Sequence, residues 1–273
     1  MRIGKSPYDF PISSPLTRSF PLKPIGAVDR ALDILDLFSE QAAELGIAEI
    51  AEATALHKST AAGLVYTLEA RGYLRQNPAN RKYGLGPRLV ERAAVFLSQA
   101  EVRRAAEAHL KALLQRVDES LNLAIRDGGE VVYIDRVASS RTLGMRSSVG
   151  KRAPCHCTAL GKALLAGLPP AEARAVLQPL ELMPVTPATI TDLGQLLDDL
   201  AETRRRGYAL DDEENEAGGR CVAAPVYDHT GQVAAAVSIS APTQRFPREQ
   251  VPAYGRLIAE TALAISRELG YMA

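Results

Sequence analysis

The side chains best suited to chemistry in this chain are three cysteines and a histidine, at Cys155, His156, Cys157 and Cys221. Thiolates and imidazoles bind zinc, but zinc sites favour Cys-x-x-Cys spacing, and adjacent side chains on an extended segment point in alternating directions. The sequence therefore predicts free, buried thiols, with no metal and no cofactor. Cys157 directly precedes a predicted helix, whose N-terminus lowers the pKa of a thiol while burial raises it, so a redox-active thiol is a second hypothesis.

Acidic and hydroxyl side chains form a second group, in the segment GYALDDEENEAGGRCVAAPVYD over residues 207–228 and in the strand after it. A run of acidic residues is usually a solvated loop, so the run itself predicts no catalytic acid pair and no calcium site. Ser238 and Ser240 share one face of the next predicted strand, because strand side chains repeat every two residues.

A helix N-terminus supplies a third kind of chemistry. Thr158 is a favourable N-cap for a helix that extends to Ala166. That helix would begin with free backbone N–H groups at Ala159, Leu160 and Gly161, which attract anions through their unpaired donors and the helix dipole. The segment therefore predicts an anion site.

The elements that carry functional residues begin with a DNA-binding pattern. Residues 47–74, IAEIAEATALHKSTAAGLVYTLEARGYL, predict two short amphipathic helices around a tight polar turn. Small polar residues at the start of the second helix are typical of a helix-turn-helix, whose recognition helix enters the major groove by its N-terminal end. The following residues predict a hairpin with a basic return strand, the wing of a winged helix; an ordinary helical hairpin is the alternative. The expected DNA contacts are Lys58, Ser59, Thr60, Tyr66, Arg71, Arg81 and Lys82.

Apolar periodicity places the remaining elements. A helix over residues 28–40 precedes the helix-turn-helix, and its expected core face carries Val28, Ala31, Leu32, Leu35 and Phe38. Beyond residue 120 the period changes to two, which predicts an antiparallel sheet with hairpins over residues 121–137 and 221–239 and a third strand over 142–149. Helices are expected over residues 158–166, 170–177, 193–206 and 249–269, with Thr191 as the cap of the third. The fold class is α+β.

Composition limits the partners. The chain has 273 residues, enough for about two domains, and its basic and acidic residues are equal in number at 32 each. Positive charge must therefore be concentrated locally for DNA binding. The candidates are the wing and a flexible basic arm over residues 1–24, whereas Glu44, Glu49 and Glu52 are expected to face away from DNA. Without a bilayer-spanning apolar run or a signal peptide, the sequence predicts a cytoplasmic protein with no membrane partner.

With these motifs in place, the chain resembles the IclR family of bacterial transcription regulators over about residues 25–270. The resemblance includes VDRALDIL, RKYGLGPRLVE and CHCTALGKALLA. It is most specific in the signature formed by Gly207, Asp211, Glu214, Cys221, Val222, Ala223, Val226, Tyr227 and Asp228. The resemblance implies a winged helix-turn-helix over residues 25–87, a linker helix over 88–100, and an effector-binding domain over 101–273 that is similar to GAF and profilin-like folds.

The family resemblance also implies partners. It implies homodimers, often paired as dimers of dimers, that bind near-palindromic operators in double-stranded DNA as repressors or activators. The implied effector is a small carboxylate, such as an aromatic carboxylate or a 2-oxo acid. Its implied contacts are Leu143, Met145, Ala159, Leu160, Gly161, Asp211, Cys221, Ser238 and Ser240.

Two positions depart from the family pattern, and two other functions stay open. Gly63 stands where the family commonly has arginine in the recognition helix, and Ala55 stands where it commonly has glycine in the turn. DNA binding would then be weaker or would read a different site. A thiol-based redox regulator is one alternative. The other is a GAF-like enzyme that uses Cys157 as nucleophile, with His156 as base and Asp211 as orienting group; no catalytic residue is assigned.

Overall fold

The computed structural model describes residues 25–141 and 147–272, except for the side chains of residues 98 and 99. The chain divides into two compact units, Met1–Gln99 and Ala100–Ala273. The arm predicted over residues 1–24 and the implied effector contacts Leu143 and Met145 lie outside the described residues.

The first unit contains a winged helix-turn-helix, as predicted. Its described elements are α1 (Gly26–Asp36), α2 (Ile47–Ala53), α3 (Lys58–Ala70), β1 (Leu74–Gln76), β2 (Tyr83–Leu85) and α4 (Arg88–Gln99). β1 and β2 pair antiparallel, and Leu45 adds a backbone bridge to Tyr83. An apolar core joins α1, α2, α3 and the wing; it includes Ile34, Ile50, Val65, Leu74 and Tyr83.

The expectation for α1 is wrong in two respects. The helix ends at Asp36 rather than residue 40, and a turn follows in which Ser39 and Ala42 exchange backbone hydrogen bonds. Val28 and Leu32 are 56% and 55% exposed rather than buried. The reason is that α1 carries two apolar stripes, and its core contact covers only the stripe that contains Ile34.

The second unit is built on a six-stranded antiparallel sheet in the order β5-β4-β3-β8-β7-β6. α6 packs against Cys221, Ala223 and Ala236 on one face, and α5 and α9 pack on the other. The α+β class with an antiparallel sheet is confirmed. The elements are α5 (Glu101–Val117), β3 (Ser120–Asp127), β4 (Glu130–Val137), β5 (Arg152–Pro154), α6 (Ala159–Ala166), α7 (Pro170–Leu177), α8 (Leu193–Arg206), β6 (Ala209–Asp212), β7 (Gly219–Tyr227), β8 (Val233–Pro242), a 3-10 turn (Arg248–Gln250) and α9 (Val251–Glu268).

Two boundaries in this unit differ from the predictions. The third strand is β5 rather than residues 142–149, of which 147–149 are described and irregular. β5 pairs antiparallel with β4, and the Arg152 guanidinium at its start also binds the carboxylates of Asp127 and Glu130 at 2.8 and 2.7 Å. α8 is capped by Asp192 rather than Thr191, since the Asp192 carboxylate accepts the Gln195 N–H at 2.8 Å.

The acidic run after α8 is not the solvated loop that was expected. Residues 209–212 form the edge strand β6, and Glu214 beyond it is buried. The Glu214 carboxylate lies 2.7 Å from the Nζ of Lys162, which is 1% exposed and also lies 2.9 Å from the Asp199 carboxylate. Burial alone would lower the pKa of Lys162, but the two carboxylates raise it above its ordinary value. This ion-paired cluster fastens α6 to α8 and to the segment after β6.

Replacing Gly63 by alanine should stabilise the first unit. A Cβ at this position meets no atom of the described part of the chain within 4 Å, and alanine is favoured over glycine inside a helix by about 1 kcal/mol. Gly86→Ala is the matched control and should destabilise the same unit, because its Cβ would overlap the Gly72 carbonyl oxygen. Thermal unfolding of the full chain measures both variants, and shifts of the same sign would contradict this packing.

Replacing Lys162 by methionine should destabilise the second unit by about 3–5 kcal/mol, because Glu214 would be left as an uncompensated buried charge. Lys111 is the control, since its ion pair with Glu107 is exposed and Lys111→Met should change little. Urea unfolding of the full chain compares the free energies of unfolding. Equal effects of the two substitutions would show that the Lys162 contact is not a buried ion pair.

Candidate functional site

The candidate DNA surface lies on the exposed side of α3. Ser59, Gly63 and Tyr66 recur at helical spacing opposite the buried residues Ala61 and Val65. Of the other expected contacts, Lys58 and Thr60 share the first turn, and Arg71 ends the helix. Arg81 and Lys82 belong to the wing. Small side chains and one glycine leave this side of α3 almost without charge.

Two glutamates bind the wing. The Glu44 carboxylate accepts hydrogen bonds from the side-chain amides of Asn80 and Asn77 at 2.7 and 2.9 Å, and these bonds hold its pKa below the ordinary value. Glu49 accepts the Gly46 N–H at 2.6 Å at the start of α2 and forms an ion pair with Lys82 at 3.0 Å. The positive charge of Lys82 is therefore already compensated within the protein.

His57 is a residue that the sequence analysis missed. It is the N-cap of α3, and its Nδ1 accepts the Ser59 N–H at 3.4 Å and lies 2.8 Å from the Ser59 hydroxyl. Serine, threonine, aspartate and asparagine are the usual N-caps, so residue type alone does not identify His57 as a cap. Its position directly before the first helical residue, Lys58, is the sequence feature that indicates this role.

A second candidate site lies on the sheet face that carries α6. Register places Asp211, Cys221 and Ser240 side by side across β6, β7 and β8, and it places Ser238 opposite Asn122 of β3. The Cys221 Sγ lies 2.9 Å from the Ser240 hydroxyl, and the Asn122 amide donates to the Ser238 and Ser240 hydroxyls at 3.2 and 3.4 Å. All five side chains are buried. The structure thus joins four of the predicted contacts in one polar cluster.

Asp211 is the acidic member of this polar cluster. One of its carboxylate oxygens accepts the backbone N–H groups of Glu214 and Asn215 at 2.8 and 3.2 Å. Burial, reinforced by the nearby charge of Glu214, raises the pKa of Asp211 to about 7. Near neutral pH this side chain is therefore present in both its protonated, donating form and its ionised form.

α6 contacts β6, β7 and β8, and Ala159 and Leu160 at its start belong to the same buried core as Cys221. Among the described residues, no acceptor binds the backbone N–H of Ala159 or of Leu160. The prediction of a free N–H at Gly161 is wrong. The Thr158 hydroxyl, the predicted N-cap, accepts it at 3.1 Å, as capping side chains commonly do at the third helical position.

Gly161 is needed for packing instead. A Cβ at Gly161 would overlap the backbone of Cys155, so glycine allows the first turn of α6 to approach that segment closely.

The cysteines are not placed for reactivity. Burial raises the pKa of Cys155 and of Cys221 to about 12, and it also raises the pKa of Cys157. His156 binds the Met183 carbonyl through Nε2 at 3.0 Å, and burial lowers its pKa. Protonated, buried thiols do not support the redox hypothesis and argue against Cys157 as a nucleophile. Within the described part of the chain, no group of three or more candidate ligands is placed to hold a metal ion.

Asn122 and Tyr133 are further members of the site that the sequence analysis did not assign. Asn122 accepts the Ser147 hydroxyl at 2.6 Å, in addition to its two serine contacts. Burial raises the pKa of Tyr133, and the nearby Cys221 and Asp211 raise it further. Alternation along β3 separates the polar Asn122 from its apolar neighbours, but it does not show that helices cover both faces of the sheet and so bury this side chain.

In the described residues, no helix is long and apolar enough to cross a membrane.

Comparison with known proteins agrees with this two-part architecture. The IclR helix-turn-helix domain profile matches residues 27–78, and the profile of the bacterial transcriptional regulator IclR C-terminal domain matches residues 94–267. The HTH-type transcriptional regulator XynR of Escherichia coli is 43% identical over 249 residues, which cover 91% of this chain and 99% of XynR.

Solved structures show the same likeness. The crystal structure of Thermotoga maritima IclR has a TM-score of 0.75 at 35% identity, covering 91% of this chain and 100% of that one. An IclR homologue from Microbacterium hydrocarbonoxydans, crystallised with 4-hydroxybenzoate, has a TM-score of 0.78 at 30% identity and covers 89% of this chain and 98% of its own. On this evidence, the chain belongs to the IclR family of bacterial transcriptional regulators.

Proposed function

We propose that the protein regulates transcription in response to a small organic acid. The acid binds in the second unit, between the start of α6 and the polar cluster on the sheet, and its binding changes the affinity of the first unit for an operator. The observation that carries this proposal is that two backbone N–H groups, at Ala159 and Leu160, have no acceptor among the described residues and lie in the buried core that also contains Cys221.

The chemistry of this proposed site suits a carboxylate. Helix N–H groups and the helix dipole favour negative charge, and a protonated Asp211 would donate a further hydrogen bond. The hydroxyls of Ser238 and Ser240 would contact a second polar group of the ligand. 4-Hydroxybenzoate, the ligand in the structure of the Microbacterium hydrocarbonoxydans relative, is an aromatic carboxylate of this kind. A 2-oxo acid would need the same hydrogen-bond donors from the protein. Leu143 and Met145 are proposed as further apolar contacts.

The operator would be contacted by α3 and the wing. Lys58, Ser59, Thr60 and Tyr66 would lie toward the major groove, and Arg71 and Arg81 would bind phosphates. To bind a DNA phosphate, Lys82 would have to break its ion pair with Glu49. Its contribution to operator affinity would therefore be smaller than that of Arg81. The acidic wing contacts of Glu44 and Glu49 would limit binding to unrelated DNA.

A homodimer fits a near-palindromic operator. Within the first unit, α1 and the N-cap residue before it expose Ile25, Val28 and Leu32, and α4 exposes Val90 and Phe96, which are 71% and 53% exposed. Exposed apolar faces of this kind mark protein interfaces. We therefore propose that they pack against a second copy of the chain in the cytoplasm, and dimers of dimers are compatible with the same surfaces.

Thermal unfolding of the full chain against aromatic carboxylates and 2-oxo acids tests the sensor. An effector at about 100 times its dissociation constant should stabilise the protein by roughly 2.7 kcal/mol. Ser238→Ala should abolish or weaken this shift, because it removes a hydroxyl from the polar cluster. Thr191→Ala, at an exposed position outside the cluster, should leave the shift intact. Failure of every acid to give a saturable shift would contradict the proposal, as would a shift that Ser238→Ala leaves unchanged.

The free energy of unfolding should decrease as pH rises from about 4 to about 7, and Asp211 is the group responsible. Its folded pKa is raised from 3.8 to about 7, so in this window the folded state holds a proton that the unfolded state releases. The stability from this group is complete below pH 3.8 and is lost as pH rises through 7, with a slope of at most about 1.4 kcal/mol per pH unit. Urea unfolding should show a smaller slope in Asp211→Asn. An unchanged slope would show that Asp211 ionises normally.

A further inference from the structure

The Ser59 hydroxyl is engaged inside the protein before it meets DNA. It lies 2.8 Å from Nδ1 of His57, and the Ser59 backbone N–H points to the same nitrogen at 3.4 Å. Both residues are exposed at the start of α3. Two groups of one residue therefore converge on a single imidazole nitrogen.

This convergence determines which way the hydroxyl hydrogen points. A backbone N–H can only donate, so the contact at 3.4 Å assigns Nδ1 as an acceptor, and a neutral imidazole that accepts at Nδ1 carries its proton on Nε2. Nδ1 therefore has no hydrogen to give to Ser59. The Ser59 hydroxyl donates its only hydrogen to Nδ1, and the lone pairs of its oxygen are left as acceptors.

Ser59 lies at a position where the direction of its hydrogen bond to His57 would affect contacts with DNA bases. Recognition helices contact base edges with residues of their first turns. Ser59 lies on the side of α3 that also carries Gly63, where no atom of the described residues lies within 4 Å of a Cβ built on the glycine. Because these side chains are short, a base edge can approach the Ser59 oxygen directly.

We infer that Ser59 reads an exocyclic amino group in the major groove, and that His57 is the positioning residue that imposes this choice. Adenine and cytosine present an amino donor at the contacted edge, whereas guanine and thymine present a keto acceptor there. A freely rotating serine hydroxyl serves either kind of base, but one that already donates to His57 can only accept. This inference rests on the proposed contact between α3 and the operator.

Operator selection from a random double-stranded library tests the inference with the full-length protein. The wild type should enrich sites in which one position of each half-site is adenine or cytosine on the contacted strand. Ser59→Ala should lose the preference at that position alone. His57→Ala should admit guanine and thymine there. His57→Asn should retain the preference, because an asparagine oxygen at the N-cap still accepts from Ser59.

A base analogue gives a second readout that does not depend on helix stability. Removing the amino group, with purine in place of adenine or 2-pyrimidinone in place of cytosine, should weaken wild-type binding about 3- to 10-fold, the effect of one net hydrogen bond. The same replacement should not change binding by Ser59→Ala. Titration of labelled operator measures both proteins.

The outcomes separate this inference from the function on which it rests. If the wild type enriches no sequence at all, the proposed operator contact is wrong, and the inference is wrong with it. If the wild type enriches sites but Ser59→Ala alters no position, DNA binding stands and the role of Ser59 is overturned. A preference for guanine or thymine at the Ser59 position, or a His57→Ala profile equal to wild type, would overturn the role of His57.

Discussion

The second unit depends on the contact between Lys162 and the carboxylates of Glu214 and Asp199, all within 3 Å and with the lysine almost fully buried. A lone ammonium group could not remain there, because its desolvation would far exceed any packing gain. With both carboxylates in place, α6 is joined to α8 and to the segment after β6. Gly161 then permits the close approach to Cys155, and Thr158 caps the helix. These three contacts set the start of α6 beside the buried polar cluster.

The first unit is subject to a different electrostatic constraint, the lack of excess positive charge for DNA binding. A chain with 32 basic and 32 acidic residues has no excess charge for DNA, and the structure shows how the local charges are used. Glu44 and Glu49 bind the wing rather than facing solvent freely, and Lys82 is compensated by Glu49. The side of α3 that bears Ser59, Gly63 and Tyr66 is almost uncharged. Recognition by hydroxyl groups and close approach therefore suits this surface better than recognition by arginine.

Local patterns predicted much of this fold, and non-local pairing explains most of what they missed. Turn residues and periodicity located α2, α3, the wing and the β7–β8 hairpin. They failed for β6, because an acidic run looks solvated unless its partners, Lys162 and Arg220, are known to lie beside it. They failed for Val28 and Leu32, because two apolar stripes on one helix look alike in sequence. The family resemblance, not local pattern, implies the effector contacts Asp211, Cys221, Ser238 and Ser240, and strand register brings these four side chains together. Asn122 emerges only from strand register across β3 and β8.

Reciprocal linkage between acid and operator tests whether one carboxylate site controls operator binding. With an acid that stabilises the protein saturably, the dissociation constant of the full chain for its operator is measured with and without saturating acid. The dissociation constant for the acid is then measured with and without saturating operator. If the site controls operator binding, both constants change by the same factor, about 5- to 150-fold. If saturating acid leaves the operator affinity unchanged, the acid site does not control DNA binding.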